Sequence, residues 1–338
     1  MKKLYSKTLL SFLLFLIAKP AITQDIHFSQ FYETPLYRNP ALAGIVSGDI
    51  RVQSVYRTQW NSVANAYKTS SLNAEYKTPI GNADDYITVG VQMFYDKAGT
   101  SELTTTQFLP ALNYHKSVSN ERNTYLSLGF MGGIVQRRFD RSKITTNSQY
   151  EGRGDGESLT ATNYSQFDGS VGMSLNSGFG ENAENNFVIG AAYHHINKPK
   201  SAFYSNAKII LKPKYVFSGA MKFGVTETSY LNIQTDVSRQ GSFQEIVGGM
   251  MYGVKIGPDW ERPDYVLHAG AFLRFNDAII PTIKLDYSPF SVGLSYDVNI
   301  SQLKTSSYGR GGFELSLTYI GFLNRDNSSL NAIRCPRY

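Results

Sequence analysis

Cysteine is almost missing from this sequence. Cys335 is the only one in 338 residues, so no disulfide can form within the chain and no cysteine-built metal centre is available. Long apolar runs are missing too. The run Leu9 to Ala18 falls well short of the roughly 20 residues a membrane-spanning helix needs, and no leucine-rich helical pattern follows it, which excludes a helical membrane protein. The five histidines, His27, His115, His194, His195 and His268, show no ligand spacing. His194 and His195 are adjacent in an expected strand, where neighbouring side chains point to opposite faces and cannot share one ion. A large surplus of charge is also absent. The formal balance is +6, but Lys2, Lys3, Lys7 and Lys19 precede Asp25 with no acid among them, so the chain from Asp25 onward sits near +2 (6 minus 4). Nothing calls for a nucleic-acid partner.

What is present is alternation. Phe290, Val292, Leu294, Tyr296 and Val298 alternate with Ser291, Gly293, Ser295, Asp297 and Asn299, giving one apolar face and one small, polar or acidic face. The pattern recurs at least ten times, for example in Tyr86–Asp96, Leu103–Lys116, Thr124–Phe139, Asn186–Ile196 and Gly311–Ile320. Tyrosines gather near strand ends, and Tyr and Phe number 23 and 20, residue types that favour strands and membrane interfaces. A signal peptide precedes the pattern: three lysines, the short apolar run, and small residues around Ala21 and Thr23. Together these predict an all-β, transmembrane antiparallel β-barrel of about 14 strands, apolar toward lipid and polar toward the lumen, in a Gram-negative outer membrane. The expected division is 1–24 signal peptide, 25–49 N-terminal segment, 50–320 barrel and 321–338 C-terminal tail.

The segment 25–49 carries Phe28, Phe31, Tyr32 and Tyr37 without alternation, then Asn39-Pro40-Ala41-Leu42-Ala43-Gly44. This predicts an N-cap, a first-turn proline and a short helix stopped by glycine, either tucked into the barrel as a plug or extended on the surface. Lumen-side acids (Asp96, Asp168, Asp236, Glu245, Asp286, Asp297, Glu314) and bases (Arg51, Arg57, Lys222, Arg274, Lys284) either brace the interior or line a selective path. The polar stretch Asp140–Tyr164 is expected to be a solvated outward loop. Its Arg153, Asp155 and Glu157 are candidate partner-binding residues, as are Arg334, Cys335, Pro336 and Tyr338 in the tail. The spacing of Asp155 and Glu157 lacks the regular ligand series of a calcium loop. No motif selects a catalytic residue, a metal site or a cofactor.

Several blocks coincide with one family. Asp25-Ile26-His27-Phe28-Ser29-Gln30-Phe31, Asn39 to Gly44, Tyr56-Arg57-Thr58-Gln59-Trp60, Asp96-Lys97-Ala98-Gly99, His195-Ile196-Asn197-Lys198-Pro199, Ser295 to Asn299, Gly311 to Leu317 and Cys335 to Tyr338 resemble the PorP/SprF family, outer-membrane proteins associated with the type IX secretion system of Bacteroidetes. The resemblance implies a non-enzymatic barrel whose partners are outer-membrane lipid, the secretion apparatus and the C-terminal domain of a secreted or surface cargo such as a gliding adhesin. The alternative is a solute channel resembling the fatty-acid transporter barrels.

Overall fold

The computed structural model of the chain describes residues 25–59, 67–81, 84–153, 161–182, 184–203, 209–260, 262–301 and 308–323. Alternating residues make strands, and the strands are β1 Ile50–Gln59, β2 Tyr67–Ile80, β3 Asp85–Ala98, β4 Leu103–Ser119, β5 Thr124–Arg138, β6 Asn163–Gly178 and β7 Asn186–His194. They continue as β8 Lys214–Thr226, β9 Ser229–Gln240, β10 Phe243–Ile256, β11 Tyr265–Arg274, β12 Ala278–Tyr287, β13 Phe290–Asn299 and β14 Arg310–Gly321. Each pairs antiparallel with its sequence neighbours, and β1 closes on β14, so the barrel has the expected 14 strands. Closure matters physically: in hydrocarbon each unpaired backbone group costs several kcal/mol, and only a sheet without edges avoids that cost.

The stagger follows from the register. From Arg57, the paired residues run through Thr69, Asp96, Thr105 and Arg137 to Tyr164 on β6. The opposite way round they run through Glu314, Ser295, Thr282, Gly270, Met251, Asn232, Lys222 and Asn186 to Gly178, also on β6. The circuit therefore closes with an offset of 14 residues (178 minus 164), one per strand, which tilts the strands against the barrel axis.

The faces are inverted relative to a soluble protein. In β13 Phe290, Val292, Tyr296 and Val298 are exposed, while Ser291, Gly293, Ser295, Asp297 and Asn299 are buried. Elsewhere Leu72, Phe108, Leu128, Phe130, Ile189 and Ile283 are exposed, and Asn73, Gln92, Asn113, Ser127 and Asn232 are buried. The apolar face meets lipid and the polar face encloses the lumen. Tyr265 and Tyr287 stack at one rim, and Tyr193 and Tyr215 meet near the other, the placement of interfacial aromatics.

The two rims differ. One carries the long connections 139–162 and 195–213; at the other, no connection is longer than 257–264. The chain enters β1 and leaves β14 at the short-turn rim, where Asp49 N–H donates to the Gly321 carbonyl (2.9 Å).

Candidate functional site

The candidate site is the lumen, and residues 25–49 occupy it. Asp25 lies at the long-loop rim beside Gln240 and Lys214, and Asp49 lies at the short-turn rim, so the segment runs the height of the barrel before turning back as β1. Its conformation follows its sequence: Phe31–Glu33 and Pro40–Leu42 form 3-10 turns and Pro35–Arg38 one α-turn. Asn39 caps the last turn, accepting from Ala41 N–H (2.8 Å), and Gly44 ends it at φ 76°, a conformation that favours glycine. The cap, first-turn proline and glycine stop appear where the sequence predicts them, and the segment is inside rather than on the surface.

At the long-loop rim the segment is held by a three-residue clasp. His195 Nδ1 meets Asp168 (2.7 Å) and its Nε2 meets Asp25 (2.8 Å). Burial pulls the imidazole down, but the two carboxylates outweigh it and push the ring up to about 9, so it is cationic at neutral pH. Burial would raise Asp25, yet His195 and then Lys214 hold its carboxyl well below the usual carboxylate range. His27 follows Asp25 into the lumen, 3.3 Å from Glu245.

Deeper in, Ser29 and Gln30 donate their backbone N–H groups to the two oxygens of Glu314 (2.6 and 2.7 Å). The Ser29 hydroxyl donates to Asp297 (2.5 Å) and accepts from both Arg57 and Arg274. Arg57 also pairs with Glu314 and with Asp297 (3.0 Å), and Arg274 pairs with Asp297 (3.2 Å). Glu33 receives Lys284 (2.6 Å), Gln53 (2.8 Å) and Thr318 (2.9 Å). Arg38 forks onto both oxygens of Asp236. Glu75 accepts from Arg51 (2.7 Å) and from Gly44 N–H (2.8 Å).

Around the Asn39–Ala43 turn a second set of contacts is uncharged and close. Asn113 donates to the carbonyls of Ala41 (2.9 Å) and Ala43 (2.8 Å), Ser174 donates to Ala41 (2.9 Å), and the Asn39 amide donates to Met173 (3.1 Å) and Ala191 (3.2 Å). The wall opposite the Pro40 turn is glycine: a Cβ at Gly129 would lie 2.4 Å from the Pro40 carbonyl carbon, and one at Gly172 would lie 1.9 Å from the Asn39 side chain.

Every lumen charge singled out from the sequence has a partner. The bracing runs from wall to wall, as in Arg51–Glu75, Arg57–Glu314, Arg57–Asp297, Arg274–Asp297 and Lys284–Asp286, and the lumen segment adds its own pairs, Arg38–Asp236, Glu33–Lys284 and Asp25–His195. His194 and His195 depart from expectation. β7 ends at His194, His195 adopts φ 58°, and both rings turn inward, His194 onto Ser170 (2.9 Å) and the Arg38 carbonyl (3.0 Å). Among the described residues no group of three or more His, Cys, Asp or Glu side chains is placed to hold a metal ion.

Of the residues expected to bind partners, Arg153 alone is among the described residues. Arg153 is exposed next to Glu151 (3.4 Å), just past a helical turn, Asn147–Tyr150, that Thr146 and Gln149 cap reciprocally. Asp155, Glu157, Arg334, Cys335, Pro336 and Tyr338 lie outside the described residues. What sequence reasoning missed is the clasp and the Glu314 seat. The one available signal was that Asp25, Ser29 and Glu33 are polar at four-residue intervals in a segment otherwise rich in aromatics.

The model of the family described as "Type IX secretion system membrane protein PorP/SprF" matches residues 21–319, and the chain belongs to this family. The barrel is similar to the TodX monoaromatic hydrocarbon channel in a deltaS2 mutant, with TM-score 0.50 and 10% identity over 86% of this chain and 94% of that one. It is also similar to the toluene transporter TbuX of Ralstonia pickettii, with TM-score 0.50 and 8% identity over 86% and 94%. At those identities the likeness is one of fold. No curated protein matches. The protein is thus a type IX secretion membrane component, a 14-strand barrel of the Gram-negative outer membrane.

Proposed function

We propose that this PorP/SprF-family barrel is a closed, non-enzymatic docking platform, supporting secretion or surface attachment of cargo. Outer-membrane barrels keep long loops outside, so the rim with 139–162 and 195–213 faces the medium and the short-turn rim faces the periplasm. The outward rim, with Arg153, Asp155 and Glu157 in its longest loop, receives the C-terminal domain of a cargo protein such as a gliding adhesin. The periplasmic turns and the tail with Arg334, Cys335, Pro336 and Tyr338 meet the apparatus.

The observation that carries this reading is the charge-locked segment in the lumen. A channel function, which the names of TodX and TbuX suggest, requires residues 25–49 to shift. Any such shift separates Ser29 and Gln30 from Glu314, Glu33 from Lys284 and Arg38 from Asp236. Breaking one side of a single buried pair costs about 3–5 kcal/mol.

The test is affinity recovery from solubilised outer membranes. Deleting 140–161 is expected to lose the secreted cargo and keep the periplasmic components, and deleting 323–338 to do the reverse. Unchanged recovery in both deletions would sink the docking reading, and steady wild-type conductance in planar bilayers would replace it with the channel.

A further inference from the structure

Strand β6 outlives its neighbour at the outward rim. It pairs with β5 from Asn163 onward, but with β7 only from Ser170, opposite His194. β7 stops there because His195 takes φ 58°, Lys198 takes φ 46° and Pro199 has no N–H to offer a ladder. Among the described residues the upper part of β6 is therefore an edge.

The direction of its backbone groups is fixed by what little does pair. In an antiparallel strand, alternate residues point their N–H and C=O to alternate neighbours. The Gly169 carbonyl accepts from Ile196 N–H (3.1 Å) and the Phe167 carbonyl from the Asn197 side chain (2.6 Å), both on the β7 side. The Thr162 carbonyl accepts from Phe139 N–H (3.0 Å) on the β5 side. Odd-numbered residues thus face the missing strand, and among the described residues Ser165 N–H, Ser165 C=O and Phe167 N–H have no partner there. The Ser165 and Phe167 side chains are exposed. An unpaired edge of this kind is a template for another strand.

The surroundings select the charge of that strand. Among its described residues the connection 195–213, which leaves the wall beside this edge, carries Lys198, Lys200 and Lys212 and no acid. Arg137 and Arg138 lie on β5 behind it, Asp168 is already held by His195, and the acids Asp140 and Glu151 of the connection leading into β6 meet Lys143 and Arg153.

We infer that the β6 edge at residues 163–167 is a docking site for an extended, acidic segment of a partner polypeptide, which adds to the barrel wall as a short antiparallel or parallel strand above the membrane. This rests on the docking reading and names the surface that does it.

The purified full chain in lipid nanodiscs supplies the test, probed with a ten-residue synthetic peptide alternating glutamate with valine and a matched lysine–valine peptide. Hydrogen exchange at the Ser165 and Phe167 amides is expected to slow with the acidic peptide only. Ser165→Pro, at an edge position whose N–H faces away from β5 and so tolerates proline, is expected to abolish that slowing. No protection in wild type, or equal protection by both peptides, overturns the inference whether or not the proline variant folds. In cells, equal cargo recovery by wild type and folded Ser165→Pro overturns the edge site alone, and the docking reading fails separately if the loop and tail deletions change nothing.

Discussion

The lumen segment meets two sectors of the wall by different physics. Against β1 and β11–β14 it presents Ser29, Gln30 and Glu33 to Arg57, Arg274, Lys284, Asp297 and Glu314, and charges do the holding. Against β4–β7 it presents Asn39, Pro40, Ala41 and Ala43 to Asn113, Ser174, backbone carbonyls and bare glycine, and nearness does the holding. The charged sector tolerates small shifts in distance but no loss of a partner, because a buried charge left alone is costly. The neutral sector loses little per bond but has no room, so it fixes position. One sector supplies the energy of the lock and the other its registration.

The comparison breaks most visibly at Glu314. Glu314→Gln leaves Arg57 with Asp297 as its remaining carboxylate and takes the acceptor from one of the Ser29 and Gln30 amides. A loss of about 3–5 kcal/mol in unfolding free energy is expected, read by urea titration in detergent, together with faster proteolysis within 25–49. Replacing Arg57 by Met and Glu314 by Leu together is expected to cost less than Glu314→Gln alone, because no charge is stranded. If the single variant is as stable as wild type, the charged sector is not the source of the lock.

The clasp at the outward rim makes the charged contribution dependent on pH. His195 is raised from its ordinary 6.5 to about 9, so its stabilisation is complete below about 6.5, declines as pH climbs and is gone above about 9. Asp25 is lowered from its ordinary 3.8, so its share is present above that value and is lost on acidification. The stability difference between wild type and His195→Gln is therefore expected to be greatest from about pH 4 to 6.5, at roughly 2–3 kcal/mol, and to vanish by pH 10. A difference independent of pH would show that His195 acts only by packing.

The division between these sectors also explains what the sequence could disclose. The barrel was legible because lipid imposes period two on every strand, as Phe290–Asn299 shows, and because closure leaves few alternatives. The turn at Asn39 to Gly44 was legible because capping is local. The pairings that lock the lumen were not, since Ser29 and Glu314 lie at opposite ends of the chain and meet only once the 14-residue stagger is set. His195 was misjudged for a related reason: the alternation continues through Ile196, and it is the left-handed backbone at His195 that turns the chain out of the strand.

The neutral sector gives the smallest effect and the sharpest check on how it works. The Ala41 carbonyl accepts from both Asn113 and Ser174, so Ser174→Ala removes one of two donors and is expected to cost about 0.5–1.5 kcal/mol. Asn113→Ala leaves Ser174 on Ala41 but strips the Ala43 carbonyl of its Asn113 bond. With both changed, the Ala41 carbonyl is buried with neither side-chain donor, and an unsatisfied buried group carries its full desolvation penalty of about 1–3 kcal/mol. The double variant is therefore expected to lose more than the two single losses added together, measured by the same urea titration. Simple additivity would mean that water replaces the missing donors, and that the Pro40 turn is held by its fit against Gly129 and Gly172 rather than by these hydrogen bonds.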